Sequence, residues 1–371
     1  MFGPSKDLHQ VPILTEHQIA QFKRDGLLVL PGVLDPALCH QVRDQMWDVI
    51  LQHRPCMRRD DPATWRPFTK EEAGSYQRHE LGGDPYFFGE GHRLYIRNGA
   101  EELMLNTAPR ALWNVAEQLL GKGEVVWPAG VDEDGHTTGP CLLTEGTVRG
   151  MAPHLSADPE RWTGSATNKS EQVRLPKTGP IWATGQGTRG LYCTLPNSPS
   201  PTDNHCPSRG IYRSAHSEAM YDTHWRLQIA AYVDDLPPNA GGLTLWPASH
   251  RRIWDYWNAV HRETPPPNRP EDVPVWDGYT APPLDEIKSD TEPVVTEGPV
   301  GSVVLWHANL LHMAGQNTLS NVIRQATIYA FAKTPESVPD EVVRRDPNGS
   351  LWRDWSEEVR SVDPLESTGP F

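Results

Sequence analysis

Between Arg189 and Phe331 the chain carries five short runs rich in Leu, Val, Ile and Tyr: RGLYCTLP, LQIAAYV, GGLTLW, GSVVLW and IRQATIYAF. Gly, Pro, Asn and Asp punctuate them. β-Branched and aromatic residues fit a pleated, half-buried surface, so these runs predict strands. Five such runs over about 145 residues come without helical patterns interleaved between successive strands. The pattern therefore predicts an antiparallel sandwich or jelly roll over residues 188–334.

The rest of the chain reads differently. Thr15-Glu16-His17-Gln18 has the form of a capping box, Ile19 and Phe22 continue an apolar face, and Gly26 ends the helix. LLVL (Leu27–Leu30) predicts a short buried strand. Asp35 and Pro36 then suit the N-cap and first position of a second helix, with Leu38, Val42, Met46 and Ile50 recurring at i+4. A third helix is expected near Ala108–Leu120, stopped by Gly121. Residues 12–121 thus form a helical support. Residues 132–187 lose apolar periodicity and predict a lid-like insertion, and the loop 264–290 is a second candidate wall or lid. Residues 335–371 read as a polar tail, and the whole as a single domain.

Composition limits the function classes. Lys and Arg number 34 against 48 acids, a net charge of -14, and no basic run stands out. Nucleic acid and anionic membrane are therefore poor partners. No apolar segment approaches the roughly 20 residues of a membrane span. The five cysteines (Cys39, Cys56, Cys141, Cys193 and Cys206) are scattered and odd in number. This argues against a disulfide framework and for a reducing cytoplasm.

The chemistry concentrates in HSEAMYDTHW, His216–Trp225. H-x-[DE] is a cheap pattern: 15 histidines and 48 acids in 371 residues give about two matches by chance. Two occur, His216-Ser-Glu218 and His261-Arg-Glu263. The second ends an expected helix and runs into TPPPNRP, so it is discarded. The first leads into a strand, where residues i and i+2 project from one face. Asp222 and His224 have the same spacing and remain an alternative pair. His312, and five residues earlier His307, follow a strand and are available as a third ligand. Two imidazoles and a carboxylate leave open positions on an octahedral metal, as non-haem Fe(II) oxygenases require. Arg324, at a strand position, can bind a carboxylate through a bidentate fork. A surface role for it stays open. His136 and His154 read as ordinary surface histidines.

These residues carry a family resemblance. His216-Ser-Glu218, YVDDLPPNAGGLTLWPASHR, GSVVLWHANLLHMAGQN and Arg324, which lies 12 residues beyond His312, stand in the order found in the phytanoyl-CoA dioxygenase family of Fe(II)/2-oxoglutarate-dependent oxygenases. The opening FKRDGLLVLPGVLDP is similar too. The resemblance implies a mainly β fold with α, a double-stranded β-helix (jelly roll) core flanked by N-terminal helices. It implies His216, Glu218 and His312 as ligands of Fe(II). It also implies Arg324 on 2-oxoglutarate, Tyr232 lining the co-substrate pocket, and O2 as oxidant. Hydroxylation of a small organic molecule is the default outcome; desaturation, epoxidation and cyclisation are alternatives, and the oligomeric state is left open.

Two departures stand out. Glu218 occupies a position where Asp is commoner, yet it keeps an acidic ligand, which disfavours a halogenase. Pro247-Ala248-Ser249-His250 replaces P-G-S-H, and alanine for the turn glycine implies φ below zero at Ala248. His250 is expected to stabilise that turn. The competing class is a jelly-roll or cupin-like metal-binding protein or isomerase without oxygenase activity.

Overall fold

The structure is a computed structural model and describes residues 14–67, 69, 87–90, 93–96, 110–125, 187–194, 215, 217, 225–263, 282–332 and 350–365. The elements in chain order are α1 (Glu16–Asp25), β1 (Leu27–Leu30), α2 (Pro36–His53), β2 (Phe87–Glu90), β3 (Arg93–Ile96), α3 (Arg110–Leu120), β4 (Gly187–Thr194) and β5 (Trp225–Tyr232). There follow β6 (Leu243–Leu245), α4 (Ser249–Glu263), α5 (Pro282–Asp290), β7 (Val294–Val295), β8 (Val303–His307), β9 (His312–Ala314), β10 (Arg324–Ala332) and α6 (Glu357–Ser361).

Local signals act as expected at the start. The Thr15 hydroxyl accepts from the Gln18 N–H, and the Gln18 side chain accepts from the Thr15 N–H, a complete capping box. Gly26 closes α1 at φ 74, a conformation that glycine adopts without a Cβ clash. Close packing fixes the same residue: a Cβ there would collide with His250 Nδ1 and Leu310 Cδ1. In α2, Val42, Met46 and Ile50 are fully buried, and Cys39 takes the fourth core position, with Leu38 only half-buried.

The strands form two sheets. One has seven strands in the order β1-β8-β5-β10-β4-β3-β2, the other three in the order β7-β6-β9. Every pairing among these strands is antiparallel. The alternation of strand side chains divides the large sheet into two faces. Leu227, Ile229, Ala231, Val303 and Leu305 lie in one core with residues of α1, α2 and α3. Ala230, Tyr232, Val304, Trp306, Ala326 and Ile328 lie in a second core, which Leu243 and Leu245 of the small sheet share. A third core joins Trp246, Leu311 and Met313 to Ile253 of α4 and to Leu284 and Ile287 of α5. The small sheet is thus sandwiched between the large sheet and a helical layer.

Several expectations are corrected. The large sheet is not confined to residues 188–334, because β1, β2 and β3 come from the N-terminal part. Residues 282–290 of the expected loop are α5, whose Leu284 and Ile287 are fully buried. The C-terminal stretch is no free polar tail over 350–365: Trp355 and Val359 are buried, and Lys23 Nζ donates to the Val359 and Val362 carbonyls. Its polar composition hid an anchor that needs only a few apolar residues. Ala248 sits at φ 61, not below zero. Its N–H donates to the Asp25 carbonyl at 2.8 Å, and the Ser249 N–H closes onto the Trp246 carbonyl at 3.3 Å. With Trp246 and His250 both fully buried, the turn dictates the backbone and the alanine follows. A left-handed alanine costs about 1 kcal/mol.

The insertion 132–187 up to residue 186, the stretch 264–281, and His136, His154, His216, Glu218, Asp222 and His224 lie outside the described residues, while Gly187 opens β4. Among the described residues, no helix is long and apolar enough to cross a membrane.

Candidate active site between the sheets

The space between the two sheets collects the polar residues of the second core. Register places each one. Ala326 of β10 pairs with Tyr232 of β5, so the two side chains share a face. Arg324, two residues before Ala326, lies on that face too, and it is 4% exposed. Gln228 pairs with Trp306, and Trp306 with Leu27, which puts the buried Gln228 amide on the same side. From the opposite sheet, His312 pairs with Leu245 and therefore faces inward. Its ring centroid is 5.3 Å from that of Trp306.

The His312 imidazole is oriented by the chain itself. Its Nδ1 lies 2.8 Å from the Leu310 carbonyl oxygen. A carbonyl only accepts, so the proton sits on Nδ1 and the lone pair on Nε2. This tautomer makes Nε2 the nitrogen that can coordinate a metal, with the ring held by a backbone acceptor. The ring thus fits one place in a set of nitrogen and oxygen ligands. Among the described residues no group of three or more His, Cys, Asp or Glu side chains forms a metal cluster. Two of the three expected ligands, His216 and Glu218, lie outside those residues. Their described neighbours are informative. Ala215 is buried with Leu311 and Met313, and the Ser217 hydroxyl donates to the Asn309 carbonyl at 2.8 Å. The chain on either side of His216 therefore packs against the turn that leads into His312.

Arg324 and Tyr232 share an electrostatic environment. Burial pushes the Tyr232 phenol above its ordinary range, and the positive charge of Arg324 partly opposes this. Tyr232 Oη lies 2.6 Å from Thr296 Oγ1 and accepts from the Leu243 N–H at 3.0 Å. Its ring stands on the large sheet while its hydroxyl is tied to the small-sheet side. Tyr232 thus staples the sheets together at the edge of the candidate pocket. Asn317, fully buried, fixes the loop between His312 and Arg324 by donating to the Val322 carbonyl at 2.7 Å.

His307 faces the other way. It pairs with Leu227 on the helix-covered face, stacks on Trp355 at 5.1 Å, and lies 5.5 Å from His250. Its Nδ1 accepts from the Asn309 N–H at 2.9 Å, so Nε2 carries the proton. Burial lowers its pKa to about 3 and lowers that of His250 well below the usual value. His250 Nε2 meets the Lys23 carbonyl at 3.3 Å, so His250 joins its turn to α1.

Sequence reading missed Gln228, Trp306, Ser217 and Ser249 as parts of this site. A signal existed for Gln228: in LQIAAYV it shares the i, i+2 phase of Ala230 and Tyr232. The others have roles that depend on partners far away in sequence.

Residues 197–326 match the family model described as Phytanoyl-CoA dioxygenase (PhyH). No curated protein matches this chain. Among solved structures, the chain is similar to the non-heme alpha ketoglutarate dependent epimerase SnoN from nogalamycin biosynthesis, at 14% identity and TM-score 0.43, covering 96% of this chain and 94% of that one. It is also similar to EctD from S. alaskensis with bound Fe, at 12% identity and TM-score 0.45, covering 89% and 79%. A third is the carbocyclase SnoK, at 14% identity and TM-score 0.42, covering 99% and 97%. At scores this low, nothing about the chemistry of this chain follows from them.

Proposed function

We propose, from the match of residues 197–326 to the phytanoyl-CoA dioxygenase family model, an Fe(II)- and 2-oxoglutarate-dependent oxygenase of a small organic molecule, built on a double-stranded β-helix. The observation that carries the proposal is the convergence of His312, Arg324 and Tyr232 on one buried interior space from strands of two sheets.

His216, Glu218 and His312 hold the metal in this reading. Bound there, iron and 2-oxoglutarate together activate O2 against a C–H bond and release succinate and CO2. His312 presents Nε2 because the Leu310 carbonyl keeps the proton on Nδ1. Arg324 holds the distal carboxylate of 2-oxoglutarate. Its guanidinium stays charged at any accessible pH, and in a buried site that charge favours a dianionic co-substrate. Tyr232 forms one wall, and its bonds to Thr296 and Leu243 hold that wall still. The apolar surroundings, Trp306, Leu243 and Leu245, keep bulk water from the reacting groups.

An anaerobic titration tests this. The protein is loaded with Fe(II), then with 2-oxoglutarate, while the weak visible band of the chelated complex is recorded. The wild type develops the band. Arg324→Ala needs about ten- to a hundredfold more 2-oxoglutarate, the loss expected for hydrogen bonds to a charged group. Iron uptake with no band at any 2-oxoglutarate concentration would overturn the proposal in favour of a metal-binding protein.

A further inference from the structure

Ser217 stands between His216 and Glu218 in sequence. It is fully buried, and its hydroxyl reaches the Asn309 carbonyl across 92 residues of chain. Asn309 belongs to the turn that joins β8 to β9. Three successive carbonyls of that turn hold three different segments of the chain. The Asn309 oxygen accepts from Ser217, the Leu310 oxygen from His312 Nδ1, and the Leu311 oxygen from the Trp246 N–H at 3.0 Å.

The turn is fixed by its donors as well. The His307 N–H reaches the Gly26 carbonyl at 2.8 Å, and the Ala308 N–H reaches Arg226 at 3.0 Å. The Asn309 N–H is held by His307 Nδ1, and the Leu311 N–H by the Ser249 hydroxyl at 2.9 Å. A turn held at so many points moves as a unit. The peptide that accepts from Ser217 is directly followed by the one that orients His312.

We infer that Ser217 is a positioning residue that sets the H-x-E segment at a fixed distance from His312 by way of the Asn309 carbonyl. This role rests on the proposed ligand set, His216, Glu218 and His312. In an extended segment alternate residues project to opposite faces. The middle residue of an H-x-E ligand pair is therefore the one available to grip the scaffold. A small hydroxyl suits the place, since it donates to a buried carbonyl and needs little room. Ser217 touches no reacting group; it acts through the turn.

The test uses the full-length protein and Co(II) as the metal probe, with Ser217→Ala and Ser217→Cys beside the wild type. The wild type takes up Co(II) with a d–d spectrum. Ser217→Ala binds Co(II) about tenfold more weakly, the low end for groups that support metal ligands. Ser217→Cys, similar in size with a weaker donor, falls between. In the metal-free protein, amide exchange at 309–313 speeds up in Ser217→Ala while exchange in α1 does not change. Equal Co(II) affinity in Ser217→Ala and wild type would overturn the role. So would exchange that rises equally in α1, which would mark a general loss of stability. A wild type that takes up no Co(II) removes the ligand set itself, and the role with it.

Discussion

His307 and His312 stand at the two ends of one turn, and both are buried, but they face different interiors. His307 is the last residue of β8 and packs against Trp352 and Trp355 on the helix-covered face of the large sheet. His312 is the first residue of β9 and faces the space between the sheets, beside Trp306. Both are held by backbone partners, but in opposite tautomers: His307 carries its proton on Nε2, His312 on Nδ1. The difference teaches that burial alone does not set a histidine's role. The strand phase selects which interior the ring enters, and the backbone partner at Nδ1, a carbonyl for His312 and an N–H for His307, selects its tautomer.

The largest expected effect breaks the comparison by substitution. His312→Ala lowers Co(II) affinity by more than about a hundredfold, beyond the range for supporting groups. His307→Asn keeps an acceptor for the Asn309 N–H and leaves Co(II) affinity within about threefold, but loses roughly 2 kcal/mol of stability with the stacked ring. Isothermal titration and urea unfolding separate the two. Equal metal losses would show that the two histidines do not divide the work in this way.

The second effect is a pH dependence confined to the helix-covered face. His250 and His307 have folded pKa values below the roughly 6.5 of an unfolded histidine. Their neutral forms therefore contribute stability that is fully present above pH 6.5. It is lost as pH falls from there toward the folded value, about 3 for His307, because the unfolded chain takes up protons that the native state refuses. The slope is about 1.4 kcal/mol per pH unit for each histidine. Unfolding free energy measured from pH 7.5 to 5 falls in the wild type and falls about half as steeply in His307→Asn, where His250 alone keeps a lowered pKa. Parallel curves would remove His307 from the account.

The smallest effect concerns the turn that carries His250. Ala248→Gly relieves a left-handed alanine and raises stability by about 0.5 kcal/mol, after the entropy that glycine adds to the unfolded chain is set against the relief. Thermal unfolding reads it. A loss of stability would mean that the Ala248 methyl contributes packing that outweighs the strain.

Much of the fold was legible because its signals are local. The capping box at Thr15, the Asp35-Pro36 start of α2, and the β-branched runs of β4, β5, β8 and β10 depend on neighbours within a turn or a strand. β2 and β3 were missed because FFGE and RLYI are short and carry charge, and β9 because HMA is only three residues long. The anchoring of 350–365 was missed because a few residues, Trp352, Trp355 and Val359, do the packing within a polar segment.

The sequence by itself determined the residue types and their order: an H-x-E pair, a later histidine, an arginine beyond it, and strands to carry them. Chemistry of that kind is written in side-chain identity, so it can be read without coordinates. Only the tertiary structure decided which histidine faces which interior, that Arg324 and Tyr232 share a face through the β5–β10 register, that Ala248 is left-handed, and that Ser217 grips the turn before His312. Each of these depends on pairing and hydrogen bonds between residues far apart in the chain, and no local pattern encodes a partner that distance brings together only on folding.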